Sequence, residues 1–147
     1  MKTTEPSAES DALQLLRALA EAHQDVGRQS ERQTAEWDLS NSEFDVVSTL
    51  GNTDGMRMCD LAERTLNTKS NITRVVKDLS ERGVVERQRN PDCEREVFVR
   101  LTPAGEELFT RTYPQMYQFA QELFDSRLTG QQQRKLIKLL GKLSVQR

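Results

Sequence analysis

Apolar residues recur at spacings of three and four along most of this chain, and at a spacing of two in one place only. Leu13, Leu16, Leu19/Ala20, His23 and Val26 predict a helix over 11–36. Ser40 and Glu43 form a capping box, and Leu39 and Phe44 flank it as a hydrophobic staple, so a second helix starts near residue 41. "GNTDG" at 51–55 ends that helix with Gly and Asn turn chemistry. "MRMCDLAERTL" predicts a short extended piece and then a helix through Leu61, Ala62 and Thr65. Asn67 or Thr68 caps the next helix, in which Ile72, Val75, Val76 and Leu79 fall on one face and Gly83 is the stop. The period then changes. "VVERQR" and "EVFVRL" are β-prone, and Val97, Val99 and Leu101 alternate with Glu96, Phe98 and Arg100. The pair predicts a hairpin with "NPDCER" as its polar tip. Thr102 and Pro103 open a long helix carrying Leu108, Phe109, Tyr113, Met116, Tyr117, Ala120, Leu123 and Phe124, which Pro114 is expected to kink or break. Thr129 with Gln132 is a second capping box, before a last helix with Leu136, Ile137, Leu139, Leu140 and Leu143.

This order predicts a mainly α (α+β) fold: a winged helix-turn-helix core over about 40–102 between long helices at about 11–36 and 103–146. The flanking helices carry more apolar surface than a small winged domain can bury. They are therefore expected to be dimerisation helices that pack on a second copy. At 147 residues the chain is read as a single domain over 11–147 behind a flexible tail, 1–10. No apolar run approaches the roughly 20 residues that span a bilayer, so no membrane association is expected. "MKTTEPSAES" lacks the apolar segment of a secretory signal. Together with two unclustered cysteines, Cys59 and Cys93, this points to the cytoplasm. One histidine and no Cys/His cluster argue against a metal site, and no cofactor is expected. With no glycine-rich phosphate loop and no clustered nucleophile and base, an enzyme is not expected.

Charge sharpens the picture. The net charge is −2, but residues 1–63 hold 5 Lys/Arg against 13 Asp/Glu, residues 64–100 hold 9 against 6, and residues 101–147 hold 7 against 4. The cations concentrate where the fourth helix and the hairpin lie, which suits one face docking on a polyanion. Within "NTKSNITRVVKDLSERG" the first turns carry Thr68, Lys69, Ser70, Asn71 and Thr73. Ser, Thr and Asn are indifferent helix formers, but short polar side chains fit a groove and can meet base edges. Lys69, Arg74 and Lys77 can reach phosphates or guanine. Taken alone, a capped and solvated helix start accounts for these residues equally well. The hairpin adds Arg87, Arg89 and Arg95, and an arginine at a wing tip can enter a minor groove. Glu94 and Glu96 beside Arg95 keep a merely soluble hairpin open.

The run "DLAERTLNTKSNITRVVKDLSERGVVERQRNPDCEREVFVRLTPAGEEL" resembles the winged helix-turn-helix of the MarR family of bacterial regulators. The matching pieces are "DLAE", the "TR" of the recognition helix, "L-x-x-x-G-x-V-x-R", "NP" at the wing, Arg95 and "LTPAG". The resemblance implies an obligate homodimer on a pseudo-palindromic double-stranded DNA operator, usually a repressor relieved by a small-molecule effector or by oxidation. Carried onto this chain, the DNA-binding residues are Thr68, Lys69, Ser70, Asn71, Thr73, Arg74, Lys77, Arg89 and Arg95. Two positions depart from the family. Cys93 stands two before Arg95, where an aspartate usually braces the wing, with Asp92 one further back. Arg57 replaces a short capping residue.

The resemblance also places effector pockets between the dimer helices and the DNA lobe. His23, Trp37, Tyr113 and Tyr117 are the candidates for a phenolic or anionic ligand. A core or dimer-interface role accounts for each of them as well. Cys59 and Cys93 raise redox sensing: Cys93 has access but acidic neighbours, and Cys59 sits at a helix start. The competing functional readings are thus a redox-sensing regulator and a sequence-blind architectural winged-helix protein.

Overall fold

The computed structural model describes residues 10–144. The expected tail over 1–10 lies outside the described residues apart from Ser10, whose Oγ accepts from the Leu13 N–H as the first N-cap. The elements follow the predicted order: α1 (Asp11–Ala35), α2 (Asn41–Leu50), β1 (Met56–Arg57), α3 (Met58–Arg64), α4 (Lys69–Glu81), β2 (Val85–Asn90), β3 (Cys93–Leu101), α5 (Pro103–Asp125) and α6 (Gly130–Leu143). Both capping boxes form. The Glu43 carboxylate accepts from the Ser40 N–H, and Gln132 does the same for Thr129.

The core lies where α2, α3 and α4 meet the sheet. Val46, Val47, Leu50, Leu61, Ile72, Val76, Leu79 and Val99 are fully buried there. Burying each such side chain contributes about 1.5–3 kcal/mol. The helix α1 joins this core through its C-terminal half alone, where Ser30 and Thr34 hydroxyls donate to Asn41 Oδ1. Gly83 stops α4 in the left-handed region, φ 72°, with the Val84 N–H reaching back to Leu79 O.

Three features differ from the sequence expectation. The extended piece at 56–57 is a third strand, and the sheet runs β1-β3-β2, all antiparallel. The hairpin is closed more tightly than "NPDCER" suggested, since pairing continues to Asn90↔Cys93 and only Pro91 and Asp92 lie between the strands. Asn90 Oδ1 accepts from the Asp92 N–H, an Asx-type turn that sequence alternation does not reveal. Finally, α5 runs unbroken through Pro114. Proline forfeits one hydrogen bond, but Phe109 and Thr112 before it and Leu123 after it are buried, and the helix continues on both sides.

Gly105, in the first turn of α5, faces the Val84 carbonyl, which also accepts from the Thr102 N–H at 3.0 Å. A methyl there would collide with that backbone oxygen. Gly105→Ala is therefore expected to cost about 1–3 kcal/mol of stability in urea unfolding, the penalty of overpacking. Gly141→Ala on α6, where an added Cβ meets nothing, is the control and should be neutral or stabilising.

Candidate nucleic-acid interface

The two faces of α4 do different work. Ile72, Val75, Val76 and Leu79 are buried, while Lys69, Ser70, Thr73, Arg74 and Lys77 are exposed on the opposite side. Thr68 is the N-cap, its Oγ1 accepting from the Asn71 N–H at 3.2 Å. The Thr73 hydroxyl donates to Lys69 O. Arg82, at the C-terminal end, donates to Glu43 Oε1 at 3.2 Å and to Asp38 O at 2.7 Å, tying α4 to the α1–α2 turn.

Asn71 stands apart from the other sequence-selected residues on this helix. It is half-buried, its amide nitrogen donates to Asn67 Oδ1 and Ser42 Oγ, and its Oδ1 accepts from Arg74 Nη2 at 2.8 Å. Its amide is thus engaged within the protein and orients Arg74, rather than facing outward beside Ser70 and Thr73. Arg74 also lies 4.0 Å from Asp78, and Lys77 3.9 Å from Glu81. Lys69, Arg87, Arg89 and Arg95 have no side-chain hydrogen bond or ion pair among the described residues, and all four are exposed.

On the wing, cross-strand partners share a face. Arg87 pairs with Val99 and Arg89 with Val97, so both arginines continue the face that carries the core valines. Phe98, Gln88 and Arg57 occupy the other face. The register breaks between Arg89 and Asn90. Those two residues are adjacent, yet their partners Val97 and Cys93 are four apart, so residues 94–96 form a bulge on β3 with Arg95 at its centre. Bulges re-aim side chains.

The wing's tie is not at Asp92 or Cys93. Arg57 grips Asp60 in a two-pronged pair, Nε to Oδ2 at 2.9 Å and Nη2 to Oδ1 at 3.1 Å, and its Nη1 reaches Glu96 Oε1 at 3.2 Å. Asn90 Nδ2 donates to the other Glu96 oxygen at 2.7 Å. The Asn90 and Arg57 donors hold the Glu96 carboxyl below the usual carboxylate range, and Arg57 does the same for Asp60. The Arg57 guanidinium is held more firmly protonated, first by Asp60 and then by Glu96. In the sequence Arg57 stands out only as an unusual cap, and nothing local marks Glu96 or Asn90. Their partners lie 39 and 6 residues away, beyond local pattern.

The four effector-pocket candidates do not converge. His23 is exposed and lines an open cavity of about 360 Å³ with Val26, Ser30, Ser42, Asp45, Leu66 and Asn67. Trp37 packs on Phe44 with ring centroids 5.5 Å apart, and its Nε1 donates to Gln115 Oε1. Tyr113 and Tyr117 lie exposed on α5. Both thiols are free and exposed, with Cys59 Sγ 3.8 Å from Asp60 Oδ1. Among the described residues no cluster of His, Cys, Asp and Glu could hold a metal ion, and no helix is long and apolar enough to cross a membrane.

Asp45 in that cavity accepts from the Leu66 N–H at 2.9 Å, and burial pushes its carboxyl up against that bond's opposing pull. A carboxyl raised in the folded state destabilises the fold while it is ionised, above its folded pKa. That cost is relieved as pH falls through the folded value toward the unfolded one. Asp45→Asn keeps an acceptor for Leu66 and removes the charge. It should match or exceed the wild-type melting temperature at neutral pH, with the advantage shrinking as pH falls through the raised pKa.

The MarR family's sequence profile matches residues 39–97, the span from α2 to the middle of β3. Transcriptional regulator HosA of Escherichia coli O111:H- is 27% identical over 118 residues, covering 77% of this chain and 87% of HosA. The HTH-type transcriptional regulator YkoM of Bacillus subtilis is 29% identical over 134 residues, 91% of this chain and 86% of YkoM. Among solved structures, Sco3205 of Streptomyces coelicolor, a MarR family transcriptional regulator in complex with DNA, superposes with a TM-score of 0.84 at 26% identity. That match covers 96% of this chain and 91% of Sco3205. The winged core, the relatives that extend over the flanking helices and the shared fold agree: residues 39–97 are a MarR family domain, and the chain as a whole is similar to transcriptional regulators of that fold.

Proposed function

We propose that this protein is a cytoplasmic transcriptional regulator, most simply a repressor, that binds a pseudo-palindromic operator as a homodimer. The helix α4 enters the major groove with Thr68, Lys69, Ser70, Thr73, Arg74 and Lys77 at base edges and phosphates. The wing brings Arg89 and Arg95 to the adjacent minor groove. The observation that carries this reading is the concentration of available cations on α4 and the wing. Lys69, Arg87, Arg89 and Arg95 are exposed there and unpaired among the described residues, and Arg74 and Lys77 meet carboxylates only at 4.0 and 3.9 Å, whereas Arg57, Arg82 and Arg100 hold carboxylates closely. Sco3205, of the same fold, was solved with DNA.

Surface area supports the homodimer. The chain exposes 11419 Å², against about 7,700 Å² for a compact monomer of its mass. The excess includes apolar stripes on α1 and α6, where Leu16 is 65% and Ile137 69% exposed. An interface of about 800 Å² per partner is standard, so the stripes offer ample area.

Release by a small molecule is supported by the His23–Asp45 cavity, which shares Ser42 and Asn67 with the network that holds Asn71 and Arg74. Its carboxylate favours a neutral hydrogen-bonding or cationic ligand over an anionic one. The discriminating experiment compares affinity for an operator with affinity for unrelated DNA at one salt concentration. A regulator should prefer its operator by about 10³-fold or more, and a ratio near one would favour the architectural reading.

A further inference from the structure

We infer that Glu96 is a positioning residue for DNA binding: clamped by Arg57 and Asn90, it fixes the bulge that presents Arg95 to the minor groove. The inference rests on the DNA-binding reading above and extends it. An acidic side chain next to a groove-reaching arginine is unfavourable for a polyanion partner, so its presence needs a reason. Both of its carboxylate oxygens are held, one by Arg57 Nη1 at 3.2 Å and the other by Asn90 Nδ2 at 2.7 Å. The two donors come from different sides of the bulge. Arg57 belongs to β1, at the foot of α3, and is itself locked on Asp60; Asn90 ends β2 at the turn. Three residues that the ladder leaves unpaired, 94–96, are thereby fastened at their C-terminal member. Arg95 is the preceding residue, exposed and with no side-chain hydrogen bond or ion pair among the described residues. A free arginine on a fastened bulge loses less conformational freedom on binding than one on a loose tip.

The sign of one substitution separates positioning from simple electrostatics. Removing a negative charge near DNA should tighten binding if Glu96 acts only through its charge. If Glu96 positions Arg95, Glu96→Ala should instead weaken binding. The test uses the full-length protein and a duplex carrying the consensus selected from a random library, with affinities measured at fixed salt. Arg95→Ala is expected to weaken binding about tenfold, the scale of one good groove contact. Glu96→Ala should weaken it about three- to tenfold, and the double variant should be no weaker than Arg95→Ala alone, because coupled residues are not additive. Glu96→Gln and Arg57→Gln, which keep the side-chain bulk, should fall between wild type and Glu96→Ala, and they stand in if the alanine variant fails to fold. Lys69→Ala, on α4, should multiply fully with Glu96→Ala. Tighter or unchanged binding by Glu96→Ala would overturn the inference, and so would a loss that multiplies fully with that of Arg95→Ala. If Lys69→Ala still weakens binding while Glu96→Ala does nothing, the positioning role alone falls. If wild type selects no consensus, the DNA reading falls with it.

Discussion

Arg74→Ala is expected to weaken operator binding by about 1–3 kcal/mol, roughly ten- to a hundredfold, without lowering thermal stability. The guanidinium is 71% exposed, so little packing is lost with it. It is also prearranged, since Asn71 Oδ1 receives its Nη2 and Asn71 is itself held by Asn67 and Ser42. Such an arginine arrives at the groove with part of its ordering cost already met by the fold. Lys69→Ala should act in parallel but differently. Lys69 is unpaired among the described residues and sits in the first turn of α4, where a phosphate is the natural partner. Its loss should weaken binding to all sequences and lower the salt slope by about one, whereas Arg74→Ala should relax selection at one base position if it reads guanine. Anisotropy titrations over a salt series distinguish the two. If both variants keep wild-type affinity and selectivity, α4 is not the reading helix.

The second large effect concerns α1 and α6. Leu16→Glu or Ile137→Glu should convert the protein to monomers at micromolar concentration, as seen by sedimentation, and reduce operator affinity about a hundredfold or more. Leu136, Ile137, Leu140 and Leu143 form an exposed apolar stripe on α6, and Leu13, Leu16 and Leu19 do the same on α1. A carboxylate placed there costs nothing in an isolated chain, because the site is already wet. In an apolar interface it must be desolvated, at several kcal/mol. Loss of the second half-site then removes an intramolecular binding event worth about 10²–10⁴ in avidity. Unfolding of the monomer should be unchanged, which separates dimer loss from misfolding. A variant that remains dimeric and binds normally would assign these stripes to some other partner.

The fold was legible where its determinants are local. Caps are read from single residues, and Ser40, Thr68, Thr102 and Thr129 all accept from the backbone N–H that their position requires. The spacing of three and four that buries Ile72, Val76 and Leu79 is equally local. Pro114 is expected to kink or break α5, and the helix is unbroken there, because packing on both sides of a proline is a tertiary fact. The hairpin tip was misjudged for a similar reason: Asn90 closes the turn with its own side chain, and the three displaced residues fall on one strand only. The interface was legible as a charge distribution and a helix face, but not in its detail. Asn71 lies four residues before Val75, at the edge of the apolar stripe. That position could have marked it as an inward residue that supports Arg74. The link between Arg57 and Glu96 spans 39 residues and has no local signature. The effector candidates were chosen for their ring chemistry, and the fold scatters them across α1, the core edge and α5.

Selection of bound duplexes from a random DNA library at fixed salt tests the central claim most directly. A dimer reading with two copies of α4 predicts a consensus with two-fold symmetry, its half-sites separated by about one helical turn, 10–10.5 base pairs between centres. It also predicts that Arg74→Ala relaxes that consensus at one base position, while Lys69→Ala enriches the same consensus with lower affinity. A flat library, or an asymmetric sequence enriched equally by the variants, would contradict it.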